Sequence, residues 1–127
     1  MVYNWLTSLQ SGLYPPHCLL CGAAGSGGLD LCPGCLGELP RIARPCHQCG
    51  EPLPEAAPPG SRCGPCQQRP PAFDRCTAPL AYTGPVPLLV AGLKFHDRLV
   101  AGRLLSELLT RHLLARGGPL PELILPI

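Results

Sequence analysis

Four Cys-x-x-Cys pairs lie within one short segment and constrain the fold more than any other feature of the chain. They are Cys18/Cys21, Cys32/Cys35, Cys46/Cys49 and Cys63/Cys66, separated by ten, ten and thirteen residues. A two-residue gap allows a tight turn to bring both sulfurs of a pair to one side of the backbone. Eight thiolates form two tetrahedral Cys₄ sites, the arrangement that structural Zn²⁺ prefers. The spacing therefore predicts two zinc ribbons that hold two Zn²⁺ ions.

Three other chemistries use closely spaced cysteines. A disulfide framework requires an oxidising compartment, and the segment from Met1 to Leu13 lacks the basic and apolar regions of a secretory signal. A thioredoxin-like redox centre needs one pair in a βαβ setting, and no pair has that setting here. An iron–sulfur cluster also takes four cysteines, but ferredoxin spacings differ from these. Structural zinc is the favoured interpretation, with iron or an oxidised form as the alternatives.

The spacing leaves open which pairs share a metal. A sequential scheme joins the first pair to the second and the third to the fourth, whereas an interleaved scheme joins first to third. Because each ten- or thirteen-residue connection can form a short hairpin, we favour the sequential scheme. The ninth cysteine, Cys76, is interpreted as a small buried hydrophobe. His17 and His47 adjoin ligands and are interpreted as bystanders, since eight thiolates are already available.

Composition explains why the metals are needed. The 127 residues include 18 prolines and 15 glycines but only two Phe, three Tyr and one Trp. The first seventy residues cannot assemble an ordinary hydrophobic core, so metal ligation must supply much of their folding free energy. The net charge of +2 is too small to indicate nucleic-acid binding by itself. Arg41 and Arg44, between the ribbons, are candidate phosphate contacts, although scattered arginines are more often solvated surface.

The chain divides into three stretches. Residues 1–16 have apolar positions at three- and four-residue intervals, which predicts an amphipathic helix. That helix has no basic face, so we expect it to dock on the protein without stable insertion into a membrane. Residues 17–70 hold the double zinc ribbon, which we expect to be small and β-rich. Residues 71–127 have a different composition and predict the start of an α/β domain.

This last stretch predicts alternating strands and helices. A strand is expected from Phe73 to Thr83, followed by a helix that opens near Pro87 and a second helix from about Arg98 to Leu114. The apolar run Leu123–Leu125 predicts another, buried strand. Strand, two helices and strand are the beginning of a domain in which helices cover parallel strands. We expect this α/β segment to be incomplete.

Several motifs together resemble one family. Cys-Leu-Leu-Cys-Gly, Cys-Pro-Gly-Cys-Leu and Cys-His-Gln-Cys-Gly precede Cys-Gly-Pro-Cys, Ala-Tyr-Thr-Gly and Leu-Lys-Phe. In this order and spacing, from about Leu13 to Ile127, the chain resembles the N-terminal half of bacterial ComF-family proteins. The resemblance implies a double zinc ribbon ahead of a phosphoribosyltransferase-like domain, and a link to competence and DNA uptake.

The chain also departs from that family. The resemblance implies a later phosphoribosyl-pyrophosphate loop, in which two adjacent acids precede a Thr/Gly-rich turn, and no such sequence occurs here. No catalytic or cofactor-binding residue can therefore be assigned, and whether the protein is an enzyme stays open. Lys94, in the Leu-Lys-Phe motif, is a candidate phosphate or nucleic-acid contact. The competing interpretation is a cation that stabilises a helix C-terminus.

The sequence thus predicts a cytoplasmic, zinc-binding, ComF-like module of competence or DNA uptake. Its expected partners are single-stranded DNA or a protein of the competence machinery. The alternative is the front half of a phosphoribosyltransferase of nucleotide salvage. A third possibility is a structural fragment with no activity of its own.

Overall fold

A computed structural model describes residues 15–118 and 121–125. The helix predicted over residues 1–16 lies almost entirely outside the described residues. The described part contains two short helices, α1 (Pro33–Gly37) and α2 (Gly64–Gln68), and two longer ones, α3 (Val86–Phe95) and α4 (Leu99–Arg116). Its β structure consists of isolated antiparallel bridges, without an extended strand among the described residues. The expectation of a β-rich ribbon module is therefore wrong.

The physical reason lies in the turns. Each ribbon reverses direction at its metal ligands after only a few residues, so strand pairing ends after one bridge. The two bridges His17–Ala24 and Pro45–Pro52 each span one such reversal. Proline, which has no amide hydrogen to donate to a ladder, further shortens the pairing.

The two ribbons are copies of one backbone pattern. We call residues 16–37 the first ribbon and residues 44–68 the second ribbon. Cys18 corresponds to Cys46, 28 positions later, and Cys32 corresponds to Cys63, 31 positions later. The Cys18 amide donates to the Ala23 carbonyl at 2.7 Å, and the Cys46 amide donates to the Glu51 carbonyl at 2.8 Å. The second copy therefore repeats the first, with three additional residues in the proline-rich loop between its cysteine pairs.

Helices α3 and α4 form an antiparallel hairpin that packs on the first ribbon. Pro87 lies in the first turn of α3, where a missing amide hydrogen costs nothing. Gly117 ends α4 with a φ of +68°, and its amide donates to the Leu114 carbonyl at 3.2 Å. The sequence analysis predicted both helices, and their bounds agree with it to within two residues.

One hydrophobic core joins the first ribbon to the helices. The exposed fractions of Leu31 in the ribbon and Leu104 in α4 are 0% and 1%. The rest of the buried cluster comes from the first ribbon, the segment just after it and the two longer helices: Cys18, Leu29, Leu39, Leu89 and Leu108. The Arg111 guanidinium adds a hydrogen bond of 2.8 Å to the Gly27 carbonyl, which ties the far end of α4 to the ribbon hairpin. The first ribbon is therefore held by packing as well as by metal ligands.

Two predicted strands are absent from the described residues. From Phe73 to Thr83 the only β pairing is the bridge between Arg41 and Leu80. Leu123–Leu125 forms no strand, and these three side chains are largely exposed. Their apolar character predicted burial, but no other described segment supplies a sheet edge with which they could pair. Of the expected α/β arrangement, the described residues contain the two helices but neither strand.

Among the described residues, no helix combines the length and the apolar character that a membrane span requires.

Candidate metal centres

Each ribbon gathers four cysteine sulfurs into one cluster. Within each cluster the sulfurs lie within 4.8 Å of one another, and the groups are Cys18, Cys21, Cys32 and Cys35, and Cys46, Cys49, Cys63 and Cys66. In a tetrahedral site with Zn–S bonds of about 2.3 Å, neighbouring sulfurs are about 3.8 Å apart. The Cys21–Cys32 and Cys49–Cys63 sulfur distances are both 3.6 Å. The clusters therefore fit two Zn²⁺ ions, and the sequential scheme is confirmed.

The first pair of each ribbon forms a tight turn that ends in glycine. The Gly22 amide donates to the Cys18 carbonyl at 2.8 Å, and the Gly50 amide donates to the Cys46 carbonyl at 3.1 Å. These glycines have φ values of +76° and +78°, a conformation that other residues rarely adopt. The turn leaves both sulfurs of the pair on its inner side, where a metal can bind them.

The second pair of each ribbon opens a short helix. Cys32 and Cys63 precede the first residues of α1 and α2, and a proline occupies the first turn of each helix. The helical turn returns the next cysteine to the cluster three positions later. The Cys35 amide lies 3.4 Å from the Cys32 sulfur, and the Cys63 amide lies 3.2 Å from the Cys46 sulfur. Backbone amides thus stabilise negative charge on the sulfurs.

These surroundings give the thiols of one cluster different pKa values. Burial opposes ionisation of Cys18, but backbone amides that include that of Cys32 outweigh it and lower the pKa of this thiol to about 6. Cys46 has the corresponding position in the second ribbon, and its pKa is likewise lowered to about 6 against the effect of burial. Burial and the Cys63 side chain raise the pKa of Cys66 to about 12. Zinc binding must therefore displace protons from the more basic thiols, because the metal takes thiolates.

The lowered values predict how acid affects the sites. A thiol whose pKa falls from the ordinary 9.0 to about 6 on folding stabilises the fold fully above pH 9. This contribution is lost as the pH falls through about 6, and protons then compete with Zn²⁺ for every sulfur. We expect both ions to remain bound at neutral pH and to be released as acid protonates the thiolates, as measured by native mass spectrometry across a pH series. Retention of both ions at the acid end of the series would contradict this.

The other candidate residues lie outside the clusters. His17, His47 and Cys76 belong to neither Cys₄ group, and all three are exposed. Exposure of Cys76 contradicts its interpretation as a buried hydrophobe. The structure puts Lys94 in the last turn of α3, where a cation is favourable. The Arg41 backbone bridges to Leu80, whereas Arg44 lines a cleft beside the second ribbon.

A buried glutamine attaches the segment after the second ribbon. Gln48 is 6% exposed, and its side-chain amide donates to the carbonyls of Pro71 and Phe73 at 3.2 and 3.1 Å. The Gln48 backbone carbonyl accepts a hydrogen bond of 2.7 Å from the Cys76 amide. Residues 71–76 are thus held against the ribbon by three hydrogen bonds, and no local sequence pattern predicts them.

Corresponding positions of the two ribbons differ in polarity. Four leucines of the first ribbon have polar counterparts in the second. The pairs are Leu19/His47, Leu20/Gln48, Leu31/Arg62 and Leu36/Gln67. In the first ribbon these leucines belong to the core or pack against it. In the second ribbon His47, Arg62 and Gln67 are exposed and polar, whereas Gln48 is buried against residues 71–76.

Comparisons with known proteins agree with the metal centres. Residues 9–67 match the family model of the double zinc ribbon domain. The chain is 38% identical over 101 residues to the DNA utilization protein YhgH of Salmonella typhi, and equally so to that of Salmonella typhimurium. Each alignment covers 76% of this chain, and the chain spans 43% of the length of each relative. No solved structure gives a significant match.

Proposed function

Because residues 9–67 carry a double zinc ribbon with two Cys₄ sites, we propose that this part of the chain is the DNA-contacting module of a ComF-like protein. The observation that carries the proposal is the 38% identity to proteins of DNA utilization. The module would serve competence or DNA uptake, with single-stranded DNA or a protein of that machinery as its partner. Unoxidised zinc thiolates are typical of a reducing compartment, which supports action in the cytoplasm.

The division of labour between the ribbons supports this proposal. The first ribbon is committed to packing, since its leucines join those of α3 and α4. Arg62 in the second ribbon and Arg69 just after it are exposed, and the counterparts of the first ribbon's leucines are polar. Guanidinium groups suit phosphate because their planar array of N–H donors matches phosphate oxygens. The second ribbon is accordingly the better candidate for DNA contact.

A test of this proposal is fluorescence anisotropy of a labelled single-stranded oligonucleotide, titrated with the zinc-loaded chain at several salt concentrations. We expect weak binding that falls as salt rises, with a slope of about 0.7 in log K per phosphate contact. Zinc-depleted protein is the control, and it should bind less because the ribbon surface is lost. Absence of binding, or an affinity indifferent to salt, would contradict phosphate contact.

The second candidate function is the leading part of a phosphoribosyltransferase of nucleotide salvage. It is favoured by the length of the relatives, of which this chain spans 43%. Residues 71–127 would then belong to the start of the transferase-like domain. The test is pyrophosphate release from phosphoribosyl pyrophosphate in the presence of purine bases. Release by this chain above background would favour this candidate. The chain has no adjacent acids followed by Thr-Gly, so we expect no release, which leaves the DNA-contacting module as the leading proposal.

A further inference from the structure

A cleft of about 390 Å³ lies between the second ribbon, the segment that follows it and the C-terminal end of α4. Three arginines from distant parts of the sequence line this cleft: Arg44, Arg75 and Arg116. His47 and His112 line it as well. We call it the arginine cleft. Its volume falls within the range of ordinary small-ligand sites, about 300–1,000 Å³.

The positive charge of this cleft is not neutralised. No carboxylate is among its lining residues in the part of the chain that the structure describes. The ion pairs found in the described residues join Arg103 to Asp30 and Arg111 to Glu107, and both lie outside the cleft. Three arginines that line one cleft without a carboxylate give it a positive potential, which favours the binding of an anion.

Neighbouring groups orient two of the guanidiniums and leave N–H donors available. Arg75 contacts the His47 ring nitrogen, and Arg116 donates to the Thr77 hydroxyl at 2.9 Å. Each contact uses one of the five N–H donors of a guanidinium. Arg75 is further fixed because the next residue, Cys76, donates its amide to the Gln48 carbonyl. The cleft is thus partly preorganised, which reduces the entropy cost of ligand binding.

The remaining wall is apolar. Ile42, Leu53, Pro58 and Pro59 line it, and the prolines belong to the loop that is three residues longer in the second ribbon than in the first. An apolar wall beside an arginine cluster suits a ligand with one apolar and one anionic end. A nucleotide has this character, since its sugar and base are bulky and its phosphate binds guanidinium groups bidentately.

We propose that the arginine cleft binds one nucleotide unit, with the phosphate on Arg44, Arg75 and Arg116 and the sugar or base against the proline loop. The inference rests on the proposed function in one respect, namely that the nucleotide belongs to a DNA strand. A free nucleotide has the same phosphate chemistry and is distinguished by the experiment. Among the described residues no Phe, Tyr or Trp lines the cleft, so base stacking contributes little and phosphate contact dominates.

The experiment compares Arg44→Gln with Arg41→Gln. These arginines are three positions apart and both exposed, but only Arg44 lines the cleft. Binding of a labelled single-stranded oligonucleotide and of a nucleoside monophosphate is measured for both variants and the parent, with two bound zinc ions verified in each. We expect Arg44→Gln to weaken oligonucleotide binding about tenfold and to reduce the salt slope by about 0.7, with Arg41→Gln close to the parent. Arg75→Gln should reproduce the effect of Arg44→Gln.

The outcomes separate this inference from the proposed function. Oligonucleotide binding that is equal in the parent and both cleft variants would overturn the cleft but keep the DNA-contacting module. Equal losses from Arg44→Gln and Arg41→Gln would also overturn it, because they indicate diffuse charge. If the parent binds only the nucleoside monophosphate, and Arg44→Gln abolishes this, the phosphate site stands and the DNA proposal fails. If the parent binds neither ligand, both are wrong.

Discussion

Chelation of zinc is expected to unfold both ribbons. Structural Zn²⁺ in small Cys-rich modules contributes about 10 kcal/mol or more per site to folding. The second ribbon is the more dependent copy, because its buried residues are few and include the ligands Cys46 and Cys66 themselves. Its backbone bridges are isolated and provide no ladder that could persist without metal. Amide hydrogen exchange before and after chelation should show that protection across residues 44–68 is lost completely.

Single substitutions give the matched control for this result. Cys46→Ser removes one ligand of the second cluster, whereas Cys76→Ser removes a cysteine that belongs to neither cluster. Native mass spectrometry should find one tightly bound zinc ion in the first variant and two in the second. Full protection of residues 44–68 after loss of their zinc would show that packing, rather than the metal, holds this ribbon.

Replacing Leu104 with alanine is expected to lower the free energy of unfolding by about 2–5 kcal/mol. Leu104 is 1% exposed and belongs to the cluster that joins α4 to the first ribbon, so alanine leaves a cavity where two elements meet. Denaturant unfolding followed by circular dichroism, with zinc in excess, measures the change. The second ribbon should keep its ion, because its ligands lie outside that cluster.

Leu114→Ala is the control for this prediction. Leu114 lies on the same helix and undergoes the same chemical change, but it is 67% exposed. Its substitution should alter the free energy of unfolding by no more than about 0.5 kcal/mol. Equal effects of the two substitutions would mean that α4 does not pack on the first ribbon through Leu104.

The metal centres were the part of this molecule most open to prediction. Ligand spacing is a local property, so eight cysteines in the printed sequence were sufficient to identify both clusters and to favour their pairing. Helices α3 and α4 were predicted for a similar reason, because the apolar stripe of a helix and the glycine that ends it both lie within one short segment of sequence. The apolar positions of α4 predict a core face of Val100, Leu104, Leu105, Leu108, Leu109 and Leu113. Leu104 and Leu108 are buried, but Val100, Leu109 and Leu113 are exposed, so the buried face is narrower than the stripe.

The strand prediction that was wrong and the cleft that was not predicted both depend on contacts between residues far apart in the sequence. Leu123–Leu125 has the composition of a buried strand, but a strand needs a partner and composition does not supply one. The arginine cleft joins Arg44, Arg75 and Arg116 across 72 positions, and no local pattern brings these residues together. Arg44 was a candidate phosphate contact from the start, but nothing near it in the sequence distinguished it from Arg41.

The repetition of one ribbon pattern has a consequence for how this chain can change. A substitution on the side of the first ribbon that faces the helices must fit against their leucines, so few side chains are acceptable there. The second copy needs its four cysteines, Gly50 and Gln48, and most of its other side chains are exposed. An engineer could therefore randomise its surface, or graft a different metal-bound hairpin onto residues 44–68, without redesigning the interior. The first ribbon is part of the hydrophobic core, whereas the exposed side chains of the second ribbon can be changed without altering that core.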